Sequence, residues 1–472
     1  MAGVYATAVG RGSTVVATTT CRSVRSRHGR WRHRAALPPP HGVRGRGLGW
    51  DVKVVDPLVL QDFVANDFAT WPAACKAYPD GLPVVALPRE WEQREGFGLA
   101  ALARILYLSA GVVRVVERED RPTLLLRAAG SAGGRFPYEL YVAARDGVHW
   151  YDPVGHALVQ IGPPPGDGAT TLILTGVPWR TGWRYSERGL RHIYWDAGTV
   201  LAQTLGLADG LEPRLYTRFP DEQVTRLVGA DGTHEFPLAI VTLGPGEPAI
   251  EPHGPAEAGA IDAREPLEFP LVTLAQHAGD SDDIGAPWPE APPPPDDLDA
   301  VILRRGSTRI MDPGATISRD LYTACLNLGM RGTQTTEFIA VHGVDDVEPG
   351  LYRWPDIDTP LRAGPLRDEL FKVCMEQKLG HDAAFVVMAA TDLDSIDDRS
   401  YREAQLGAGL VNGRLHLAAF SLGIGATGMT FYDSEIAGLL GEPLAGLLFT
   451  CVGVPTYKNK QGGRPGQPAS IV

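Results

Sequence analysis

GAGLVNGRLHLAAFSLGIGATGMTFYDSEIAGLLG, residues 407–441, lines up with DAGTVLAQTLGLADGLEPRLYTRFPDEQVTRLVG, residues 196–229. Ala408 matches Ala197 at an offset of 211, and Phe431 and Asp433 match Phe219 and Asp221 at 212. An upstream block recurs as well: GVHWYDPVGHAL from Gly147 matches GLYRWPDIDTPL from Gly350, an offset of 203. Blocks repeated in the same order with small drifts in offset mark a tandem duplication of a domain of about 150 residues, the usual domain size. Solenoids stack several short repeats, whereas two domain-sized copies point to a homodimer fused into one chain. A site between the copies can then take parts from each, and each copy is free to lose what the other supplies.

Working outward through the first copy, LAALARILYLSAG from Leu99 has helical apolar spacing, and Leu124–Leu126 lead into the glycine-rich RAAGSAGGRFP. ELYVAA follows as a strand, GVHWYDPVGHAL as a hairpin-like turn and Thr171–Thr175 as a short buried strand. Ser186–Leu205 reads as an amphipathic helix and Pro237–Leu243 as a closing strand. Upstream, Asp51–Glu90 is cut by Pro79, Pro83 and Pro88 and reads as an arm on the first domain. Between the copies, a proline-rich acidic connector ending in APWPEAPPPPDD is expected to be a semi-rigid spacer. The expected boundaries are 1–50 (extension), 51–95 (arm), 96–246 (first domain), 247–299 (connector), 300–457 (second domain) and 458–472 (tail).

The net charge of −12 argues against nucleic acid as a general partner, so any anion site must be local. Residues 1–50 hold nine arginines and no acidic residue, which resembles a transit peptide and equally fits a disordered extension or an early start codon. No run approaches the ~18 apolar residues of a membrane helix. The five cysteines are scattered without C-x-x-C spacing, so neither a zinc site nor a disulfide framework is expected, and the default is a soluble protein of a reducing cytoplasm.

A local anion site is offered by VILRRGSTRIMDP, residues 301–313. Arg304, Arg305 and Arg309 place three positive charges beside the hydroxyls of Ser307 and Thr308, and Gly306 permits close backbone approach, which suits a phosphate dianion. The alternative is a solvated basic helix start capped by Ser307. His149 and His156, seven apart, read as solvent-exposed polar residues rather than metal ligands. Asp433 reads as an N-cap with Glu435 in the first turn.

RGSTR followed by ISRDLYTACLNLG, RAAGSAGGRFPYELYV, GVHWYDP, and AGLVNGRLHLAAFSLGIGATGMTFYD followed by VGVP together resemble the nitroreductase superfamily of flavoproteins. The likeness is closest to its SagB-type, thiazole/oxazole-forming branch and covers roughly Leu99–Gly244 and Val301–Pro455. It implies an α+β fold, here two tandem nitroreductase-like domains forming a pseudo-dimer within one chain, with FMN in the groove between them. Carried over, Arg304, Arg305, Ser307 and Arg309 hold the FMN phosphate with a basic group after the closing strand: Lys458, Lys460 or Arg464. Gly425, Ala426, Thr427, Gly428 and Met429 form the loop facing flavin N5, and Ser131, Ala132, Gly133 and Gly134 reach across from the first copy.

The copies are unequal in a way that suits one composite site. Where Ser131–Gly134 should recur the second copy has Gly329-Met330-Arg331-Gly332, and the first copy has ALPREWEQREGFG in place of RxSxR. One complete FMN site per chain is expected, the other being degenerate. Where the azoline-oxidising branch uses a Lys-Tyr pair, this chain has Arg184-Tyr185; arginine cannot serve as a base at neutral pH, but it could lower the pKa of Tyr185 or orient a carbonyl. The implied function is FMN-dependent dehydrogenation of azoline rings or a related bond in a peptide or small molecule, with other peptide-modifying enzymes as partners. The alternatives are an NAD(P)H-dependent nitroreductase or quinone reductase, and a flavin-free scaffold in a peptide-modifying complex.

Overall fold

FPLAIVTL, residues 236–243, is apolar apart from Thr242, and the strand it forms is buried from end to end. It lies near one edge of the first of two large sheets. A computed structural model describes residues 68–91, 97–119, 121–289, 293–330 and 332–471. The arginine-rich opening, residues 51–67 and 92–96 of the arm, and Arg331 lie outside the described residues.

In chain order the first half supplies β1 (Val84–Ala86), β2 (Val112–Arg118), β3 (Arg121–Arg127), β4 (Tyr138–Ala144), β5 (Gly147–Asp152), β6 (Ala157–Gly162), β7 (Thr170–Gly176), β8 (Arg214–Tyr216) and β9 (Phe236–Leu243). The second supplies β10 (Thr336–Val341), β11 (Gly350–Arg353), β12 (Arg362–Ala363), β13 (Phe385–Thr391), β14 (Gly425–Met429), β15 (Ala445–Gly453) and β16 (Ala469–Ile471). The sheets run β1-β6-β5-β4-β7-β9-β8 and β12-β11-β10-β13-β15-β14, so apart from β1 they share one strand order. β5 and β11, the repeated GVHWYDP and GLYRWPD blocks, take equivalent places.

Seven helices frame the junction between the halves: α1 (Leu99–Ala110), α2 (Pro178–Tyr185), α3 (Gly189–Leu207), α4 (Pro270–His277), α5 (Leu298–Arg304), α6 (Arg319–Met330) and α7 (Asp398–Ser421). The expected amphipathic helix at Ser186–Leu205 begins as a single 3-10 turn and continues as α3, buried on nearly every side. The reason is tertiary: sheet one covers one face of α3, and α7 of the other half covers the opposite face.

Small residues set that α3–α7 crossing. A Cβ on Gly198 would lie 2.3 Å from Leu406 O, and one on Gly409 would lie 2.4 Å from Trp195 O. Gly198 and Gly409 are 211 apart, as are Trp195 and Leu406, so the contact is reciprocal. Ion pairs repeat the relation. Asp433 accepts from Arg188 Nη1 (2.5 Å) and Arg191 Nη1 (2.6 Å), while Asp221 accepts from Arg399 Nη1 (2.5 Å) with Arg402 Nη1 at 3.8 Å. Asp433 is therefore a buried anchor for two arginines of the other half, not a helix cap; Tyr432 takes the cap position.

Other expectations change too. The connector is no spacer: it carries α4, and Gln276, Gly279, Ser281, Gly285 and Trp288 all bond to the halves. The first half inserts the β2–β3 hairpin where the second runs directly from α6 to β10, and β16 adds to β2 in parallel. The C-terminal tail thus returns to the first half. His149 and His156 are buried, not exposed: His156 lies 3.0 Å from both Tyr151 Oη and Pro88 O. Their polarity suggested surface, but sheet packing and the arm cover them. No helix among the described residues is long and apolar enough to cross a membrane.

Candidate functional site between the halves

The RGSTR segment leaves the end of α5 and runs along the outer edge of β14. Thr308 N donates to Ala426 O (3.0 Å), and a Cβ on Gly425 would collide with Thr308 Oγ1, so this glycine is what lets the segment dock. From the other side, Tyr457 Oη accepts from Arg309 N (2.8 Å), and Asn459 packs on Gly306. Arg114 of the β2 hairpin grips the segment's backbone, its guanidinium donating to the carbonyls of Lys460 (2.7 Å), Leu303 (2.7 Å) and Arg305 (3.0 Å). The stretch expected as a loop, Gly425–Met429, is an edge strand, because its backbone pairs with β15 from Gly453 to Phe449.

Arg305 points across the junction into the first half. Its Nη2 donates to Ala128 O, and its Nη1 lies against Gly130, immediately before the Ser131–Gly134 turn. The side chain is buried, and no carboxylate pairs with it among the described residues. Burial, reinforced by Arg114, brings its pKa down to about 10. Several buried polar groups here have no hydrogen-bond partner among the described residues: Arg305 Nε, Thr308 Oγ1, Tyr138 Oη and both ring nitrogens of His416. Burial, with Arg305 adding to it, pushes His416 down to about 3, so its ring is neutral. A buried cation without a counter-charge, among unsatisfied hydrogen-bonding groups, is the donor set that an anionic group completes.

On the first-half side, Ser131 Oγ donates to Asp196 Oδ2 (2.5 Å) and Ala132 N to Asp196 Oδ1 (2.9 Å), while Ser131 Oγ also accepts from Phe136 N (2.7 Å). Gly133 has φ +60°, and a Cβ there would lie 2.8 Å from Tyr185 Oη and 3.3 Å from Arg184 Cδ. Arg184 and Tyr185, at the end of α2, therefore border this turn. Tyr185 stacks on His192 with ring centroids 4.0 Å apart. Its hydroxyl is raised above the ordinary tyrosine value: burial outweighs the lowering by Arg184, against the expectation that Arg184 would acidify it. Burial likewise pushes Asp196 up to about 7, opposed by its bonds to Ser131 and Ala132.

Arg305, Ser307, Thr308, β14 and the Ser131 turn thus converge, with Arg184 and Tyr185 beside them. Arg304 is exposed on the rim, its Nη2 on Phe420 O (3.3 Å). Arg309 and Lys458 are exposed near the segment, but Lys460 Nζ turns to Ser470 O (2.5 Å) and Arg464 to Glu90 (3.7 Å). The Ser470 carbonyl of β16 holds Lys460 aside, and Arg464 faces Glu90 of the arm. Sequence reasoning missed Asp196 and His416; the available signal for the first was a lone aspartate inside the largely apolar run HIYWDAGTVLAQ.

A protein from Anabaena variabilis ATCC 29413 assigned as a nitroreductase superposes on 87% of this chain and 100% of its own, with a TM-score of 0.71 at 24% identity. The chain has a nitroreductase-type fold. A Ralstonia eutropha JMP134 protein of the same assignment covers 38% of this chain and 95% of its own at 19% identity and a TM-score of 0.29. An NAD(P)H:FMN oxidoreductase assignment from Staphylococcus epidermidis ATCC 12228 covers 36% and 91%, at 12% identity and a TM-score of 0.28. No family model matches the sequence, and no curated protein matches it significantly.

Proposed function

We propose that the chain is an FMN-dependent oxidoreductase, a nitroreductase-type homodimer fused into one polypeptide, holding a single FMN where the RGSTR segment of the second half meets the Ser131 turn of the first. The observation that carries this reading is Arg305, a buried guanidinium with no carboxylate partner among the described residues, flanked by the orphaned Thr308 hydroxyl. These groups fit a phosphate. Arg305, Ser307, Thr308 and the exposed Arg304, Arg309 and Lys458 would hold that end; β14 and the Ser131–Gly134 turn would border the ring. FMN, when bound, supplies hydride transfer.

The chain's own residues then handle protons and position. Asp196 titrates near neutrality beside the turn, so it can hold or release a proton there, whereas Tyr185 keeps its proton and serves as a donor. Arg184 cannot act as a base and is assigned to orienting a polar substrate group. Within this class the finer reading is dehydrogenation of azoline rings in a peptide natural product, which rests on the sequence likeness to the SagB-type branch.

Purified protein should carry a flavin spectrum, release FMN on denaturation and bind close to one FMN per chain. Colourless protein that added FMN cannot load would overturn the reading. Oxygen consumption driven by an azoline-containing peptide identifies the dehydrogenase, and steady NADPH consumption with a nitroaromatic acceptor would replace it by a reductase.

A further inference from the structure

The candidate site has a structural counterpart on the opposite side of the α3–α7 crossing, and the connector fills it. Leu215 of β8 and Ala426 of β14 are 211 apart and both face the helices. In the candidate site Ala426 O receives the N–H of Thr308 (3.0 Å); in the counterpart, Leu215 O receives the N–H of Trp288 (2.7 Å). Pro287-Trp288-Pro289 therefore stands where the RGSTR segment stands on the other side. The indole Nε1 donates to Thr217 Oγ1 (2.7 Å), and the ring's far edge lies 3.5 Å from the position of a Cβ on Gly407, which is itself 3.9 Å from Thr335 Cγ2. Gly407 is the counterpart of Asp196. The ring thus lies among an edge strand of one half, the long helix of the other and the turn before β10, the same three-part composition as the candidate site.

The counterpart lacks the polar helix residues of the candidate site. His416 and Asn412 are matched at the 211 offset by Leu205 and Leu201. Arg399 bonds to Asp221, Thr217 O and Gly279 O, and Arg402 lies within ion-pair distance of Asp221 and Asp280. Further bonds hold the connector in place, from Ser281 N to Asp221 Oδ2 (2.9 Å) and from Gly285 N to Arg218 O (3.0 Å).

We propose that residues 285–289 plug a latent second site, whose slot takes one uncharged planar aromatic ring with a single N–H donor, and that this plug makes the chain single-sited. The ligand count rests on the proposed FMN function; the slot does not. The test is Trp288→Gly in the full chain with indole as the probe. The variant should melt on the order of 5 °C lower than wild type, and indole should bind it at one per chain and restore part of the loss, with no effect on wild type. A folded Trp288→Gly that binds no indole would overturn the plug, as would wild type that binds two FMN. If the glycine variant does not fold, Trp288→Ala replaces it; failure of both to fold even with indole makes the ring ordinary core packing and sinks the slot. Wild type that takes up no FMN, with indole still bound by Trp288→Gly, would defeat the flavin reading alone.

Discussion

Asp196 and Arg305 are both ionisable side chains inside the protein, and burial pushes each toward its neutral form, raising the carboxyl and lowering the guanidinium. Asp196 rises from an ordinary 3.8 to about 7 in the folded chain. A carboxyl with a raised folded pKa contributes stability that is fully present below its unfolded value and is lost as pH climbs through the folded one. Asp196→Asn removes that titration, so between pH 4 and pH 7 the variant should gain on wild type by up to about 4 kcal/mol in urea unfolding. A gap that stays constant over the window would mean the carboxyl ionises normally. Glu337, also raised to about 7 by burial, is common to both proteins and cancels. Arg305→Ala should weaken FMN retention by roughly 1.5–3 kcal/mol, measured by equilibrium dialysis. The exposed Arg309→Ala should cost less, because water screens it.

Among the elements, α3 and α7 decide the arrangement. Their backbones approach so closely at Gly198 and Gly409 that even one methyl has no room. Gly198→Ala should lower stability by about 1–3 kcal/mol through forced separation of the helices, whereas the exposed Gly438→Ala, with nothing near its Cβ, should cost far less. Comparable melting temperatures for the two variants would contradict the crossing. The edge strand β14 shows the same dependence on small residues, since Gly425 admits Thr308 and Gly428 admits Asn412.

At the scale of the whole molecule, two reciprocal ion clusters lock the halves: Arg188 and Arg191 on Asp433, Arg399 and Arg402 on Asp221. Asp433→Ala strands two buried guanidinium groups and should cost about 3–5 kcal/mol in chemical unfolding. Asp221→Ala should cost a similar amount, since its cluster is the mirror of the first, and an effect confined to one of the two would argue against equivalent roles. The return of the tail as β16 onto β2 adds a second tie, because it joins the chain's end to the hairpin that carries Arg114.

Much of this was legible in the linear chain. The 203–212 offsets, a strand at residues 237–243, the helix from Leu99 and the RGSTR and Ser131–Gly134 blocks are local patterns, and alternation or repetition along a chain needs no fold to be read. Only the tertiary structure decided which half each group serves. Asp433 looks like a cap until α3 brings Arg188 and Arg191 to it, Lys460 looks like a phosphate ligand until β16 draws it aside, and the prolines around Trp288 look like a spacer until β8 binds them. Each of these contacts depends on chain segments that lie far apart in the sequence and that folding alone brings together, so no local pattern could announce them.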